Sequence, residues 1–361
     1  MGNHTVTTAY DTTHDISRGV ATVMKSWQIG RFGLDALEQA EHRIPQPGPH
    51  DLLVRIGAAS LNYRDRLVIE GTFVPDLALP FVPASDGAGE VVAIGEDVTR
   101  FRVGDRVIGT YIPKWIDGDG GGPDGDYVNR GGPLPGVLAE YVLFDERAAV
   151  ATPAYLSDRE ASTLPIAAVT AWTALFEHGR LRPGDTVLVE GTGGVSIFAL
   201  QLAVAAGARV IVTSSSDEKI ERAKALGASD GINYTRYPEW DEQVREVTSG
   251  RGADYIIEVV GGDNVRRAVN TLARNGHLAL VGLMDGFTLS ADIVPMLVER
   301  RAIRGVLVGS RRNFEDLIRA LDLLRLRPVI DRVYPFDDAP AAFEHLTRGA
   351  FGKIVIDVRG A

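Results

Sequence analysis

The sequence predicts an α/β protein built on a doubly wound parallel sheet, with a second, β-rich region before it. Three observations carry that prediction. From Leu156 to about Gly309, short apolar runs alternate with helical patterns, the order that gives a parallel sheet covered by helices. The runs are continuously apolar rather than alternating, as expected of strands buried on both faces. The first of them ends in "EGTGGVS" (190–196), a glycine-rich turn that opens a helix.

Taken in order, residues 1–23 form a mostly polar extension lacking the charged-then-apolar pattern of a secretory signal. Residues 24–155 read as a β-rich domain. There "DLLVRIGAASL", "GEVVAIG", "DRVIGTYI" and "LAEYVLF" are short apolar runs cut by Gly, Pro and Asp turns. Residues 114–136 are too rich in Gly, Asp and Pro for regular structure and are expected to be a functional loop or lid. Residues 156–309 supply the strand runs "TVLVEG", "RVIVTS", "GINY", "ADYIIEVV", "GHLALVG" and "IRGVLVG", with helical patterns between them. Such units describe a dinucleotide-type fold. Residues 310–361 give a further helix, "NFEDLIRALDLL", and short strands "VIDRVYPF" and "KIVIDV", expected to complete the first domain.

Composition narrows the function. The chain has 361 residues, 45% of them hydrophobic, enough to bury a core in each of two domains. Its net charge is −10 and no Lys/Arg run offers a footprint for a phosphate backbone, so nucleic acid is excluded as a main partner. It contains no cysteine, which removes disulfides, thiolate chemistry and every Cys-based zinc site and fits a cytoplasmic protein. No apolar stretch approaches the about 20 residues that span a bilayer.

The glycines point to a cofactor. Gly191 permits the turn off the strand, and Gly193 and Gly194 let the backbone approach a pyrophosphate. That group would face the free N–H groups of the helix opening near Val195. Ser196 takes the position usually given to a third, packing glycine. The second strand closes on Ser214-Ser215-Ser216, then Asp217, Glu218 and Lys219. A cofactor without a 2′-phosphate wants an acid at this strand end. Its replacement by hydroxyls and an ammonium predicts NADPH rather than NADH. Ser215 with Glu218 also reads as a capping box needing no ligand, and both readings stand together.

These residues, with "LNYRDRLVIEG" (61–71), "FVPASDGAGEVVAIGEDVTRFRVGDRVIG" (81–109), the run from Leu164 to Gln201 and "FGKIVIDV" (351–358), resemble the medium-chain dehydrogenase/reductase superfamily. Within it they are most similar to the zinc-free, quinone-oxidoreductase-like branch of the alcohol dehydrogenase-like fold. The resemblance implies a GroES-like β-barrel catalytic domain, a Rossmann domain and an active site between them. Zinc-dependent members carry a Cys where this chain has Asn62, a His-Glu pair at Ser85-Asp86 and a Cys near Ile166; of that set only a carboxylate survives. No metal is therefore expected. Without one, the chemistry implied is hydride transfer to an already electrophilic acceptor, a quinone or an α,β-unsaturated carbonyl. The alternatives are a metal-free alcohol or aldehyde dehydrogenase and a cofactor-binding protein with little catalysis.

The resemblance also assigns residues. Asn62 is expected to donate to the nicotinamide or the substrate oxygen. Tyr63 and Arg64 are expected to position pyrophosphate or substrate, and Asp65 to orient its neighbours. Thr170 matches a Thr near the nicotinamide, Tyr234 a Tyr flanking the adenosine phosphate, and Lys353 a basic residue near the pyrophosphate. Val259-Val260-Gly261 and Gly282-Leu283 end the fourth and fifth strands, where ligands lie in this fold. Trp115, Tyr127 and Phe287 are candidate pocket aromatics. Pairing of the "RGVLVG" edge across a two-fold axis predicts a homodimer.

Overall fold

The structure, a computed structural model, describes residues 22–120 and 127–360. Nearly all of the expected N-terminal extension and the centre of the 114–136 loop lie outside the described residues. The chain begins with β1 (Val23–Ile29), β2 (Leu37–Arg43), β3 (Asp51–Leu61), α1 (Tyr63–Ile69), β4 (Asp86–Ile94), β5 (Arg106–Gly109), β6 (Tyr141–Asp145) and β7 (Ala149–Ala151). Helices α2 (Asp158–Ala161) and α3 (Val169–Trp172) belong to a helical stretch widened by π-type turns. Then come β8 (Thr186–Glu190), α4 (Gly194–Ala205), β9 (Arg209–Ser214), α5 (Asp217–Ala225), β10 (Asp230–Asn233), α6 (Trp240–Val247), β11 (Ala253–Glu258), α7 (Asn264–Thr271), β12 (Leu272–Leu280), α8 (Ile293–Glu299) and β13 (Ala302–Gly305). The chain closes with α9 (Arg311–Leu324), β14 (Ile330–Pro335), α10 (Ala339–Arg348) and β15 (Lys353–Asp357).

The continuous apolar runs form the expected parallel sheet of six strands in the order β10-β9-β8-β11-β12-β13. Val187, Leu188, Val189, Val210, Ile211 and Val212 are all 0% exposed, so these strands are covered on both faces as their composition requires. Each such side chain contributes about 1.5–3 kcal/mol by leaving water. The order of strands reverses between β8 and β11, which opens a crevice beyond their carboxyl ends.

The β-rich sheet has seven strands and runs β14-β15-β3-β4-β5-β7, with β6 also paired to β3. Two of these come from the end of the chain. Strand β15 lies antiparallel to β3 with Ile354 opposite Leu61, and β4 lies on the other side with Asp86 opposite Ser60. That register gathers residues distant in sequence at the end of β3. Helix α9 instead buries Phe314, Leu317 and Leu321 in the cluster that holds Val187, Val189 and Val212. The "IRGVLVG" run is strand only as far as Gly305, and β13 is the sheet's edge. Among the described residues no helix is long and apolar enough to cross a membrane.

Candidate active site

The sequence places Asn62 at the N-cap of α1, where a short polar side chain normally serves the helix. Here it is drawn away. Its Oδ1 accepts from Lys353 Nζ at 2.6 Å, and its Nδ2 donates to Asp86 Oδ2 at 2.9 Å. Lys353 also donates to the Leu61 carbonyl at 2.7 Å and stands 3.9 Å from Asp86 Oδ2. Asp86 accepts a further bond from the Ile166 N–H at 3.2 Å, while its Oδ1 has no partner. Both charged groups are buried, at 0% and 3% exposure. Burial pushes the Asp86 carboxyl up to about 7, against the pull of Lys353 and the Asn62 bond. Burial likewise pushes the Lys353 ammonium down, against the pull of Asp86 and Asp65.

Asp65 takes over the helix cap: its carboxylate accepts from the Asn62 N–H at 2.8 Å and from Ser85 Oγ at 2.7 Å. Arg64 is engaged with protein groups. Its guanidinium donates to Ser85 Oγ (2.6 Å), to the Gly131 and Gly132 carbonyls (2.8 and 3.2 Å) and to Asn129 Oδ1 (3.3 Å), and it pairs with Asp65 at 3.1 Å. It lies between the rings of Phe73 and Tyr111, each 5.5 Å away. The bonds of its two terminal nitrogens fix the 129–132 loop, while its Nε is buried without a partner. Tyr63 is half-buried and its hydroxyl makes no hydrogen bond to a described residue.

At the other wall of the cleft, the turn after β8 is shaped for a close ligand. Gly191 has φ +69°. Gly193 caps α4 without any side-chain bond, and a Cβ there would meet nothing within 4 Å, so there is open space beside the turn just before Val195. Gly194 has a different reason. A Cβ on it would lie 2.6 Å from Lys353 Cδ and 3.2 Å from Ala167 Cβ, so this glycine makes room for the lysine stem. Ser196 is buried and its hydroxyl donates to the Glu190 carbonyl at 2.6 Å, which ties α4 to β8. Thr170 is 1% exposed and its hydroxyl has no partner. An orphaned hydroxyl and an open helix terminus both fit a pyridine nucleotide laid across this end of the sheet.

The serine cluster divides. Ser214 is buried and its Oγ accepts from the Ser216 N–H at 3.3 Å. The cap of α5 is Ser216, which accepts from the Lys219 N–H at 3.3 Å. The expected cap at Ser215 is thus displaced by one residue, and Ser215 is left exposed. Lys219 reaches the Gly349 carbonyl at 3.3 Å. Tyr234 is 42% exposed, and Arg236, which the sequence did not mark, pairs with Asp217 nearby.

The turns after β11 and β12 pack backbone against backbone. Gly261 has φ +80°, and a Cβ on Gly282 would lie 1.8 Å from the Val259 carbonyl carbon. Val259, Val260 and Leu283 line this edge, partly buried. Of the candidate aromatics, Trp115 meets Tyr127 edge-on at 6.0 Å, whereas Phe287 is 76% exposed with Ile293 and Leu297 and does not join them. Sequence reading also missed Glu190, Glu258 and Asn264. Their signal is a lone acid closing each of two buried apolar strands.

A metal does not fit the Asn62 corner. Its one carboxylate is already faced by an ammonium, the chain has no cysteine, and among the described residues no three His, Asp or Glu side chains converge on a point.

Residues 48–154 match the family described as alcohol dehydrogenase GroES-like domain, and residues 194–323 the one described as zinc-binding dehydrogenase. The chain is 41% identical to a zinc-type alcohol dehydrogenase-like protein of Schizosaccharomyces pombe, covering 90% of this chain and 96% of that one. It is 30% identical to quinone oxidoreductase-like protein 2 of Bos taurus, covering 88% of each. Among solved structures, an alcohol dehydrogenase of Sinorhizobium meliloti superposes with a TM-score of 0.89 at 48% identity, over 94% of this chain and all of that one. A NAD-dependent alcohol dehydrogenase superposes with a TM-score of 0.83 at 33% identity, over 93% and 99% of the two chains.

Proposed function

The chain belongs to the medium-chain dehydrogenase/reductase superfamily, an oxidoreductase fold with quinone oxidoreductase-like and alcohol dehydrogenase-like relatives, and from that premise we propose that it is a zinc-independent, NADPH-dependent reductase. Its acceptor is a quinone or an α,β-unsaturated carbonyl. The observation that carries this reading is the Lys353 ammonium held by Asn62 and Leu61 beside Asp86. A divalent cation in that corner would be repelled by a fixed positive charge. Activation then falls to hydrogen bonds, which suffice for an acceptor that is already electrophilic.

The cofactor's nicotinamide supplies the hydride when bound. The glycine turn at Gly193 and Gly194, where α4 opens, would receive its pyrophosphate, and Thr170 its nicotinamide side. Ser215, Lys219 and Arg236 would receive a 2′-phosphate. Lys353 fixes the Asn62 amide by holding its oxygen, so Nδ2 is turned outward as a donor with one N–H on Asp86 and the other free for the oxygen that gains charge. Arg64 and Asp65 hold the loop and helix that frame this donor.

We also propose a homodimer. Helix α8 buries none of its residues, and Ile293, Val294, Leu297 and Val298 on it are 63–71% exposed beside the edge strand β13. We place the enzyme in the cytoplasm on the strength of its cysteine-free composition.

The test is a steady-state screen with NADPH and NADH against quinones, alkenals and simple alcohols, with and without chelator. Reduction of quinones or alkenals that survives chelation is the expected result. Turnover of simple alcohols alone, lost on chelation, overturns the proposal.

A further inference from the structure

Glu190 ends β8 and Glu258 ends β11. The parallel register sets Val189 beside Ile257, which brings the two acids together at the sheet's switch point. They are 3% and 0% exposed. Glu258 Oε1 accepts from the Val260 N–H at 3.0 Å, the Gly261 N–H at 2.7 Å and Asn264 Nδ2 at 3.1 Å. Glu190 Oε2 accepts from the same Asn264 Nδ2 at 3.0 Å. One oxygen of each acid, Glu190 Oε1 and Glu258 Oε2, is buried without a partner. Two orphaned acceptors on neighbouring carboxyls have one economical resolution, which is a proton between them.

We infer that Glu190 and Glu258 share a single proton, carried on Glu190, and that this pair is the positioning element holding the turns after β8 and β11 in the shape that receives the cofactor. The assignment within the pair follows from the donors. Three N–H groups converge on one oxygen of Glu258, whereas Glu190 has one side-chain donor, Asn264, and the Val259 N–H. Burial and the neighbouring Glu258 together raise Glu190 well above the usual carboxyl range.

Among the described residues the surroundings offer no cation in place of the proton. Strand β9 presents Thr213 opposite Glu190, and its hydroxyl accepts from the Gly191 N–H at 3.4 Å. Strand β12 presents Leu280 opposite Glu258. Helix α4 presents Ser196 and α7 presents Asn264. The bonds of Glu258 thus hold Val260 and Gly261 on one side of the crevice, and on the other Glu190 is followed directly in the chain by Gly191. Removing the proton sets two charges against each other and pulls Asn264 between them, which loosens both turns.

The role in cofactor binding rests on the nucleotide reading above; the shared proton does not. NADPH dissociation constants from about pH 6 to about pH 10, measured by fluorescence titration, test the first in the parent, Glu190→Gln and Glu190→Ala. The parent should lose affinity at alkaline pH, by roughly tenfold for each pH unit beyond the pair's ionisation. Glu190→Gln should keep the neutral-pH affinity and lose the alkaline decline, because its amide donates to Glu258 at every pH. Glu190→Ala should bind weakly throughout. Infrared difference spectra test the proton directly: a carboxylic-acid carbonyl band should be present in the parent and removed by Glu190→Gln. Absence of that band overturns the shared proton. With the band present, a flat parent profile, or a Glu190→Gln as weak as Glu190→Ala, overturns the positioning role. Failure of every variant to bind nucleotide while the band is present condemns the functional reading and, with it, the positioning role, but leaves the proton assignment standing.

Discussion

Two walls of the same cleft bury acids, and they neutralise them by opposite means. At the end of β3, Asp86 is faced by the Lys353 ammonium and an amide bridges the two. At the ends of β8 and β11, Glu190 and Glu258 meet with an amide between them and no cation. A buried charge costs several kcal/mol unless something answers it. At the first wall the answer is a charge of opposite sign, facing a carboxyl that burial raises to about 7, whereas at the second it is a proton with no cation beside it. The first wall is therefore held by an ion pair bridged by an amide; the second is held so that its turns respond to pH through a proton alone.

The sharpest way to break this contrast is Lys353→Met. It strands Asp86 without its cation and should cost about 3–5 kcal/mol of stability by urea denaturation, with activity lost. Adding Asp86→Asn should recover most of the stability but not the activity. A double variant as unstable as the single one would show that packing against Gly194, not charge, is what Lys353 supplies.

Glu190→Ala should cost less, about 1–3 kcal/mol, because it removes one partner and leaves the other satisfied by three donors. Its pH signature separates it further. A carboxyl raised in the folded state binds more protons there than when unfolded, so its contribution is full below the ordinary carboxyl range and is lost as pH rises toward the folded value. Stability followed against pH should fall less steeply above that range in Glu190→Gln than in the parent.

The same reasoning gives Asp86→Asn a bounded effect. The Asp86 carboxyl sits at about 7 when folded, so its share of the decline should run from the ordinary carboxyl value to about pH 7 and stop. A parent and Asp86→Asn with the same slope in that window would mean the ion pair is charged throughout.

The smallest effect should come from charges that neither wall buries. Lys219→Ala and Arg236→Ala lie at the solvent edge and should leave stability unchanged. Each should weaken NADPH by up to about tenfold, roughly 1.4 kcal/mol, and NADH not at all, in a fluorescence titration. Equal losses for both cofactors would place the 2′-phosphate elsewhere.

What could be read from the sequence follows the range of the forces involved. The strands of the parallel sheet and the turn at Gly191 were legible because apolar runs and glycine act locally. The cap of α5 fell one residue late, at Ser216 rather than Ser215, because three consecutive serines carry the same local preference. Asn62 was singled out, but as a donor to ligand alone; its bonds to Lys353 and Asp86 depend on β15 pairing with β3. Arg64 was expected at a ligand, and its bonds to the 131–132 carbonyls were not foreseen, since nothing local tells a guanidinium which carbonyls will surround it. The Glu190 and Glu258 pair was invisible for the same reason: β8 and β11 are neighbours only through the reversal of strand order.

Lys353 springs from one sheet, passes its methylenes beside Gly194 of the other, and ends at Asn62. The neighbouring residue adds a backbone stitch, the Gly352 N–H donating to the Thr192 carbonyl at 2.9 Å. Such a strut ties the two halves of the molecule together at this depth through one side chain and one backbone bond. It also makes positions 194 and 353 a matched set: any side chain gained at the first demands a shorter one at the second.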